Sequence, residues 1–410
     1  MSLFQDANII MQAALHAALP DTAVEKALKE LPRYSGKLVL IAAGKAAWQM
    51  AHAAYTQLGA KIDSGVVITK HGHAMGPIGP LDIREAGHPV PDEDSYTATA
   101  AAIQAVSGLT ADDLVLFLLS GGGSALFERP LLPPEELADI TKQLLACGAD
   151  ITEINTLRKR FSAVKGGKFA QLCAPAHVFS IVLSDILGDP LDMIASGPAY
   201  PDSTTSEQAQ AIAKKYDLHL SDLARDLLTR ETPKDLPNAE SRITGSVRQL
   251  CAAASESAQA LGYKPVVLTA SLCCEARDAG SFLASIAQYH TDTKESLAFI
   301  AGGETVVHLT GHGKGGRNQE LALAAARGID GLRDTLVFSL GSDGTDGPTD
   351  AAGGWVDGTS LRRMTEKGYD LDAVLQDNDA YHALSAVDGL ILTGPTGTNV
   401  NDLSVLLIRR

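Results

Sequence analysis

The chain has 410 residues, of which 45% are hydrophobic, and this length allows two or three domains with substantial cores. Its 34 basic and 49 acidic residues give a net charge of -15, which argues against a nucleic-acid partner and makes each locally placed cation informative. No apolar run approaches the roughly 18 residues of a membrane span. Residues 1–6 lack the basic start of a signal peptide, so we expect a cytoplasmic protein.

The first candidate site residue follows the first predicted strand. Apolar periodicity predicts two helices within residues 9–31, and residues 38–43 form a short apolar run typical of a buried strand. Gly44 and Lys45 then begin a helix, and a lysine at such a turn is well placed to meet an anion attracted by free backbone N–H groups. A solvated lysine would give the same pattern, and the residues alone favour neither interpretation.

A glycine-rich loop follows a later apolar strand. Residues 114–119 predict a central strand that ends in Ser120, Gly121, Gly122, Gly123 and Ser124. Three consecutive glycines let backbone N–H groups close on phosphate or carboxylate oxygens, with a hydroxyl on either side. No Gly-Lys-Ser/Thr follows, so this is not a Walker A loop. One tight turn needs fewer glycines, and we therefore favour an anion site.

A basic run lies between this loop and the next strand. It comprises Arg158, Lys159, Arg160, Lys165 and Lys168, and it either forms a solvated helix face or turns partly toward the anion site. The strand predicted over residues 178–183 leads into a loop with several carboxylates, including Asp189, that closes on Ser-Gly-Pro. From residue 200 to 240 the chain is polar and contains several prolines, which indicates a domain transition.

A second acidic loop follows the strand predicted over residues 336–340. Asp343, Asp346 and Asp350 place three carboxylates within eight residues. Such hard oxygen ligands suit Mg²⁺, which binds one or two carboxylates and completes its shell with water and substrate phosphates. Turn formation and helix capping would explain the same acids. Two acidic loops on separate strands favour a shared polyphosphate and metal site.

A G-x-G-x-x-G pattern at Gly311, Gly313 and Gly316 follows an apparent hairpin over residues 297–301 and 305–309. A dinucleotide fingerprint also needs an acid about 20 residues further on, at the end of a second strand, and none stands there. The pattern is therefore weak evidence for a dinucleotide site. Arg317 and Asn318 come next, at a helix start, and offer a fork-shaped cation and an amide to a phosphate or carboxylate.

Near the C-terminus, the loop over residues 393–402 is rich in hydroxyl and amide side chains, including Thr398 and Asn399, and predicts another ligand-facing loop. We expect residues 1–240 to form an N-terminal α/β domain and residues 241–410 a C-terminal one. The last strand could also return to the N-terminal sheet.

Together these motifs resemble the class II glycerate 2-kinases. The resemblance covers nearly the whole chain and is carried, in order, by Gly44-Lys45-Ala46, Ser120 to Ala125, Ser184-Asp185 with Gly188-Asp189 and Ser196-Gly197-Pro198, Gly316 to Glu320, Ser342 to Gly353, and Gly397 to Asp402.

The resemblance implies two α/β domains, a Rossmann-like doubly wound N-terminal domain and a C-terminal MOFRL-type domain, with the active site in the cleft between them. It implies transfer of the γ-phosphoryl group of ATP to the 2-hydroxyl of D-glycerate with Mg²⁺, which gives 2-phosphoglycerate. Lys45 and Arg317 match the catalytic cations proposed for the family. We assign Asp189 as a third catalytic residue and as a candidate for the base. We expect no nucleic acid and no membrane as partners, with a homodimer as the candidate assembly.

Further assignments combine the loops with this resemblance. Cofactor contacts are assigned to the glycine-rich loop with Asn318, Thr398 and Asn399, and the metal to Asp343, Asp346 and Asp350. Some family members have been named hydroxypyruvate reductase, so an NAD(P)H-dependent reductase is the alternative. A sugar-acid binding module without catalysis and a kinase for another 2-hydroxy acid are also kept open.

Overall fold

The computed structural model describes residues 2–184 and 191–410. Its helices are α1 Leu3–Ala17, α2 Pro20–Leu28, α3 Ala47–Leu58, α4 Glu93–Ala105, α5 Gly123–Leu126, α6 Pro134–Ala146, α7 Ile151–Phe161, α8 Lys168–Cys173, α9 Ser206–Lys215, α10 Asp222–Thr229, α11 Val247–Ala260, α12 Ala276–Tyr289, α13 Arg317–Ile329, α14 Ser360–Glu366, α15 Leu371–Gln376 and α16 Ala380–Ala386. Its strands are β1 Leu38–Ala43, β2 Ser64–Lys70, β3 Leu81–Ala86, β4 Leu114–Leu119, β5 His177–Val182, β6 Ala239–Ile243, β7 Lys264–Leu272, β8 Leu297–Gly303, β9 Thr335–Gly341, β10 Gly353–Asp357, β11 Leu390–Ile391 and β12 Asp402–Ile408.

The described residues form two compact units, each with a six-stranded sheet. Among the described residues, the parallel-sheet unit comprises residues 23–184 and 191–244, and the mixed-sheet unit comprises residues 2–22 and 245–410. The predicted two-domain α/β class is confirmed. Among the described helices, none is both long and apolar enough to cross a membrane.

The parallel-sheet unit has the strand order β3-β2-β1-β4-β5-β6, and all of its pairings are parallel. This is the doubly wound order of Rossmann-like domains, as predicted. Alternate residues of β1 pack into different cores, Ile41 on one face of the sheet and Leu40 on the other. Because helices cover both faces, the central strands read as continuous apolar runs.

The strand order creates a reversal between β1 and β4. From β1 the chain continues to β2 and β3 on one side, and from β4 it continues to β5 and β6 on the other. In open α/β sheets, ligands bind outside the carboxyl ends of the strands at such a reversal. Ala43 and Leu119 are paired at these two carboxyl ends, so the loops that follow them begin side by side.

The mixed-sheet unit has the order β11-β10-β9-β12-β8-β7, in which only β7 and β8 are parallel. The last strand, β12, pairs with β8 and β9 of this sheet, so our suggestion that it could return to the N-terminal sheet is wrong. Helix α1 packs against α11 in the same unit, although we had expected residues 1–240 to form one domain. Asp402 at the start of β12 lies opposite both Gly303 and Gly341.

Candidate functional site

The loop after β1 and the glycine loop (residues 120–124) after β4 are joined by hydrogen bonds. The Lys45 N–H donates to the Gly121 carbonyl at 2.9 Å, and the Ala46 N–H donates to the Ser120 Oγ at 3.1 Å. Gly44 has a φ of +127°, and a Cβ there would lie 2.2 Å from the Ser120 Oγ. Only glycine permits this close approach. Ser120 is buried and holds the two loops together.

This arrangement leaves the Lys45 charge and two backbone N–H donors available to bind a ligand. The Lys45 side chain is exposed, and its ammonium group has no hydrogen-bond or ion-pair partner in the described part of the chain. The backbone N–H groups of Gly121 and Gly122 likewise have no acceptor within residues 2–184 and 191–410. A cation beside free N–H groups at a doubly wound reversal is suited to bind an oxyanion.

His88 lies against the same loop. A Cβ at Gly122, which has a φ of +84°, would stand 3.0 Å from the His88 Cδ2 and 3.1 Å from the Lys45 Cγ. The two side chains therefore flank this glycine. Burial, followed by the charge of Lys45, lowers the pKa of His88, so its imidazole is mostly neutral at pH 7. The sequence analysis gave His88 no role.

Ser124 contacts a strained segment of the same unit. Its Oγ lies 3.5 Å from the Oγ of Ser196, which donates to the Asn155 Oδ1 at 3.0 Å. Ala195 and Ser196 both have left-handed backbones, with φ of 49° and 62°. Each costs on the order of 1–3 kcal/mol, and such strain clusters at ligand-binding segments. Asp189, assigned from the sequence as a catalytic residue, lies outside the described residues.

Arg317 begins α13 in the mixed-sheet unit and is held by two carboxylates. Its Nε and Nη2 donate to Asp402 at 2.6 and 3.0 Å, and its Nη1 lies 3.0 Å from the Glu304 Oε1. This bidentate pair fixes the plane of the guanidinium group. Burial alone would lower the pKa of Arg317, but the hydrogen bond and charge of Asp402 raise it above its ordinary value.

Asp402 is almost completely buried. Burial raises its pKa to about 6, although the hydrogen bond and charge of Arg317 act in the opposite direction. The sequence analysis did not identify Asp402 or Glu304 as partners of Arg317. Asp402 begins β12 and Glu304 directly follows β8, and acidic residues at strand ends are a signal for a site. The sequence does not show that these two strands pair, so it could not bring the two residues together.

Asp346 and Asn318 stabilise the start of α13. The Asp346 carboxylate accepts from the N–H groups of Asn318 and Gln319 at 3.1 and 2.9 Å, and from the Asn318 Nδ2 at 3.3 Å. The Asn318 Oδ1 accepts from the Ser339 Oγ at 2.5 Å. Both residues are buried. Their polar groups thus stabilise the first turn of α13, the helix that carries Arg317.

The other two predicted metal ligands lie in different surroundings. Asp343 is partly buried and accepts the Thr345 N–H at 3.0 Å, whereas Asp350 is exposed and accepts from the Tyr381 hydroxyl at 2.7 Å. That hydrogen bond lowers the pKa of Asp350. Within residues 2–184 and 191–410, one group of three potential ligands has its atoms within 4.8 Å of one another, and it comprises His71, Asp92 and Asp94. The assignment of the metal to the acidic loop after β9 stays a prediction.

The two residues predicted in the C-terminal loop differ in exposure. Thr398 is buried, and its Oγ1 donates to the Ala18 carbonyl at 2.7 Å, which ties the loop to the end of α1. Asn399 is exposed, and its side chain has no hydrogen-bond partner in the part of the chain that the structure describes. Of the two, Asn399 has the amide that can reach a ligand.

The G-x-G-x-x-G loop is packed against an acidic turn over residues 377–379. The Gly311 N–H donates to the Asn378 Oδ1 at 3.0 Å, and the Gly313 N–H donates to the Asp377 carbonyl at 2.8 Å. A Cβ at Gly313 would lie 2.4 Å from that of Asp379. These glycines therefore permit contact with protein carboxylates and carbonyls. A dinucleotide site would instead need these N–H groups for the pyrophosphate.

Comparison with known proteins supplies the family. Residues 6–229 match a model described as a domain of unknown function, DUF4147, and residues 297–402 match the MOFRL family. The chain is 50% identical over 405 residues to D-glycerate 2-kinase of Thermotoga maritima, with 97% of each chain covered. It is 42% identical over 389 residues to a protein of Agrobacterium vitis named for hydroxypyruvate reductase, covering 91% of this chain and all of that one.

A solved structure agrees with these matches. The crystal structure of a glycerate kinase from Thermotoga maritima superposes with a TM-score of 0.94 at 49% sequence identity, covering 98% of this chain and 99% of that chain. Our expectation of the family is confirmed. The chain belongs to the family of DUF4147 and MOFRL proteins that includes the glycerate 2-kinases.

Proposed function

We propose that this protein is an ATP-dependent glycerate 2-kinase that transfers the γ-phosphoryl group of ATP to the 2-hydroxyl of D-glycerate. The products are 2-phosphoglycerate and ADP. The observation that carries the proposal is the Lys45 ammonium, which has no partner among the described residues, beside the Gly121 and Gly122 N–H groups, which have no acceptor there. Phosphoryl transfer asks a protein mainly for positioning and for neutralisation of charge, and these groups supply both.

The residue roles follow from surroundings and resemblance. Lys45 neutralises charge on a phosphate or carboxylate at the glycine loop, and the loop N–H groups orient its oxygens. Arg317 supplies a second cation, and Asp402 fixes the plane of its guanidinium group in advance. Asp189 stays our proposed base for the 2-hydroxyl.

Mg²⁺ remains part of the proposal because it neutralises the phosphates of ATP. Of the three predicted ligands, Asp346 is buried and accepts three hydrogen bonds within its unit, and Asp350 is bonded to Tyr381. Asp343 is partly buried and accepts a single backbone hydrogen bond, through Oδ1, within the described residues. One or two carboxylates are enough for Mg²⁺, so we propose Asp343 as its principal protein ligand.

A reductase is the competing function because some relatives carry that name. It would require a nicotinamide dinucleotide site, and the candidate loop was the one around Gly311 and Gly313. The N–H groups of both glycines are already bonded to the turn over residues 377–379. This observation favours the kinase.

The two functions are separated by one pair of assays. Purified protein is incubated with ATP, Mg²⁺ and D-glycerate, and ADP release is measured with and without EDTA. A parallel sample receives hydroxypyruvate with NADH or NADPH, and nucleotide oxidation is followed. We expect ADP release that requires D-glycerate and is abolished by EDTA, with no oxidation of the nicotinamide. Nicotinamide oxidation without ADP release would contradict the proposal.

A further inference from the structure

The basic run in the parallel-sheet unit is largely buried and internally paired. Lys159 and Arg160 are fully buried, and both contact the buried Asp202, at 2.9 and 2.7 Å. Arg160 also donates to the Thr232 Oγ1 at 3.0 Å. These contacts compensate the cost of removing the two cations from water. This part of the run is structural, and it is not the solvated helix face that the sequence allowed.

The later cations of the run are also satisfied. The Lys165 Nζ lies 2.8 Å from the Glu128 Oε2 and donates to the Phe127 carbonyl at 3.0 Å. Lys168 donates to three backbone carbonyls, the shortest bond being 2.6 Å to Ser162. Both lysines therefore have acceptors that fix their positions.

Arg158 is the exception. Its side chain is partly buried, yet its guanidinium group has no hydrogen bond or ion pair within residues 2–184 and 191–410. Burial lowers the pKa of Arg158, and the charge of Glu128 opposes this. An arginine nevertheless remains protonated at neutral pH. A partly desolvated cation that has no partner among the described residues, in a chain of net charge -15, is suited to receive the anion of a ligand.

The position of Arg158 on α7 relates it to the glycine loop. Asn155 and Arg158 are three residues apart and therefore lie on the same face of α7. Asn155 accepts from Ser196, whose Oγ lies 3.5 Å from the Oγ of Ser124. Glu128, whose charge acts on Arg158, comes two residues after the end of α5. The shared face puts Arg158 on the side of α7 that contacts Ser196, and through Ser196 that side faces Ser124 at the end of the glycine loop.

We propose that Arg158 binds an oxyanion of the ligand held at the glycine loop. This inference deepens the proposed kinase function and rests on it. A guanidinium fork matches both a carboxylate and a phosphoryl group, so the anion is either the carboxylate of D-glycerate or a phosphate of ATP. Arg158 supplies directional hydrogen bonds there, in addition to the point charge of Lys45.

Steady-state kinetics of Arg158→Gln and Arg158→Lys test the inference. Loss of a charged hydrogen bond should raise one KM by about 10- to 100-fold, with a smaller rise for Arg158→Lys because lysine keeps the charge but lacks the fork. A rise for D-glycerate identifies the carboxylate, and a rise for ATP identifies a phosphate. The matched control is Arg225→Gln, which removes an exposed arginine of α10 in the same unit and should leave both KM values unchanged.

Binding without turnover separates this inference from the proposed function. Calorimetric titration of D-glycerate alone and of ATP alone is compared between wild type and Arg158→Lys, with circular dichroism to establish folding. If wild type shows no kinase activity, the proposed function fails, while weaker binding by the variant would still support Arg158. Equal KM values and equal binding in wild type and a folded variant, or no binding of either compound by wild type, would overturn the inference.

Discussion

Lys45 and Arg317, the two cations that the family resemblance marked, have contrasting surroundings. Lys45 is exposed and has no partner among the described residues, so it is free to follow a ligand. Arg317 is held by Asp402 and Glu304, so its position is fixed beforehand. The first contributes adaptable charge and the second a preorganised fork.

Removal of the Lys45 charge tests its catalytic role. Lys45→Ala should reduce kcat by about 10² to 10³, the usual effect of losing one electrostatic stabiliser of a transition state. Its melting temperature should not change, because the Lys45 side chain is exposed and makes no hydrogen bond or ion pair with described residues. Lys61→Ala, at another exposed lysine of the same unit, is the control. Turnover within threefold of wild type would remove Lys45 from the mechanism.

The Asp402 carboxylate makes Arg317 sensitive to pH. With its pKa raised to about 6 by burial, Asp402 is ionised at pH 7 and becomes protonated as the pH falls through 6. Protonation weakens the ion pair that orients Arg317. We therefore expect kcat/KM of wild type to decrease on the acid side with an apparent pKa near that value.

Asp402→Asn provides the comparison because its amide cannot titrate. Its kcat/KM should be lower at pH 7 and should lack the acid limb seen in wild type. A profile of the variant that keeps the same limb would assign that titration to another group. Asp357→Asn, a partly buried aspartate at the end of β10, serves as a control in the same unit.

At the scale of elements, the sequence predicted the positions of individual strands better than it predicted which strands pair with each other. Residues 38–43 and 114–119 were predicted as strands, and β1 and β4 have those bounds, because a strand buried on both faces is a distinctive apolar run. The predicted hairpin over residues 297–309 is wrong. β8 pairs in parallel with β7, and Val306 and Leu309 of the supposed second strand are exposed. Apolar alternation indicates a strand but does not select its neighbour.

Local sequence patterns were also insufficient to assign the roles of individual site residues. Asp346 and Asn318 carry the residue types of ligand contacts, yet the fold uses both to begin α13. Arg158 stood in a basic run whose other members are internally paired, and the sequence could not show which of these cations would have no partner in the described part of the structure. Long-range contacts decide these roles, and they become visible only once the sheets are assembled.

Helix α7 is anchored by a buried ion cluster, which allows a stability prediction. Asp202→Asn removes the carboxylate shared by Lys159 and Arg160, all of them fully buried. Breaking a buried pair from one side typically costs about 3–5 kcal/mol in the free energy of unfolding, because the remaining charge is left uncompensated. Urea denaturation of wild type and variant measures the change.

The control for this cluster is an exposed pair. Asp226→Asn removes the partner of Arg230 on the surface of the same unit and should cost no more than about 0.5 kcal/mol. Burial opposes the ionisation of Asp202, but the hydrogen bond from Thr232 and the charge of Lys159 lower its pKa below the ordinary 3.8. This stabilisation by the ionised Asp202 is therefore present above pH 4 and is lost as the pH falls further.

Equal losses of stability in Asp202→Asn and Asp226→Asn would contradict the account of the buried cluster.

At the scale of the whole molecule, two sheets of different topology carry the predicted residues. The doubly wound unit places Lys45 and the glycine loop at its strand reversal, and the mixed-sheet unit places Arg317 beside the start of β12. Composition and motifs were sufficient to predict the two α/β domains and the family. The order of the strands, which gives the glycine loop its position, required the structure.

The central claim is that the product carries its phosphate on the 2-hydroxyl, and coupling to enolase tests it most directly. Enolase dehydrates 2-phosphoglycerate to phosphoenolpyruvate and does not act on the 3-phosphate isomer. The protein is therefore incubated with ATP, Mg²⁺, D-glycerate and enolase in the absence of a mutase, and phosphoenolpyruvate is followed by its absorbance. We predict phosphoenolpyruvate in proportion to the ADP released. ADP release without phosphoenolpyruvate, recovered only when a mutase is added, would show phosphorylation of the 3-hydroxyl and contradict the account.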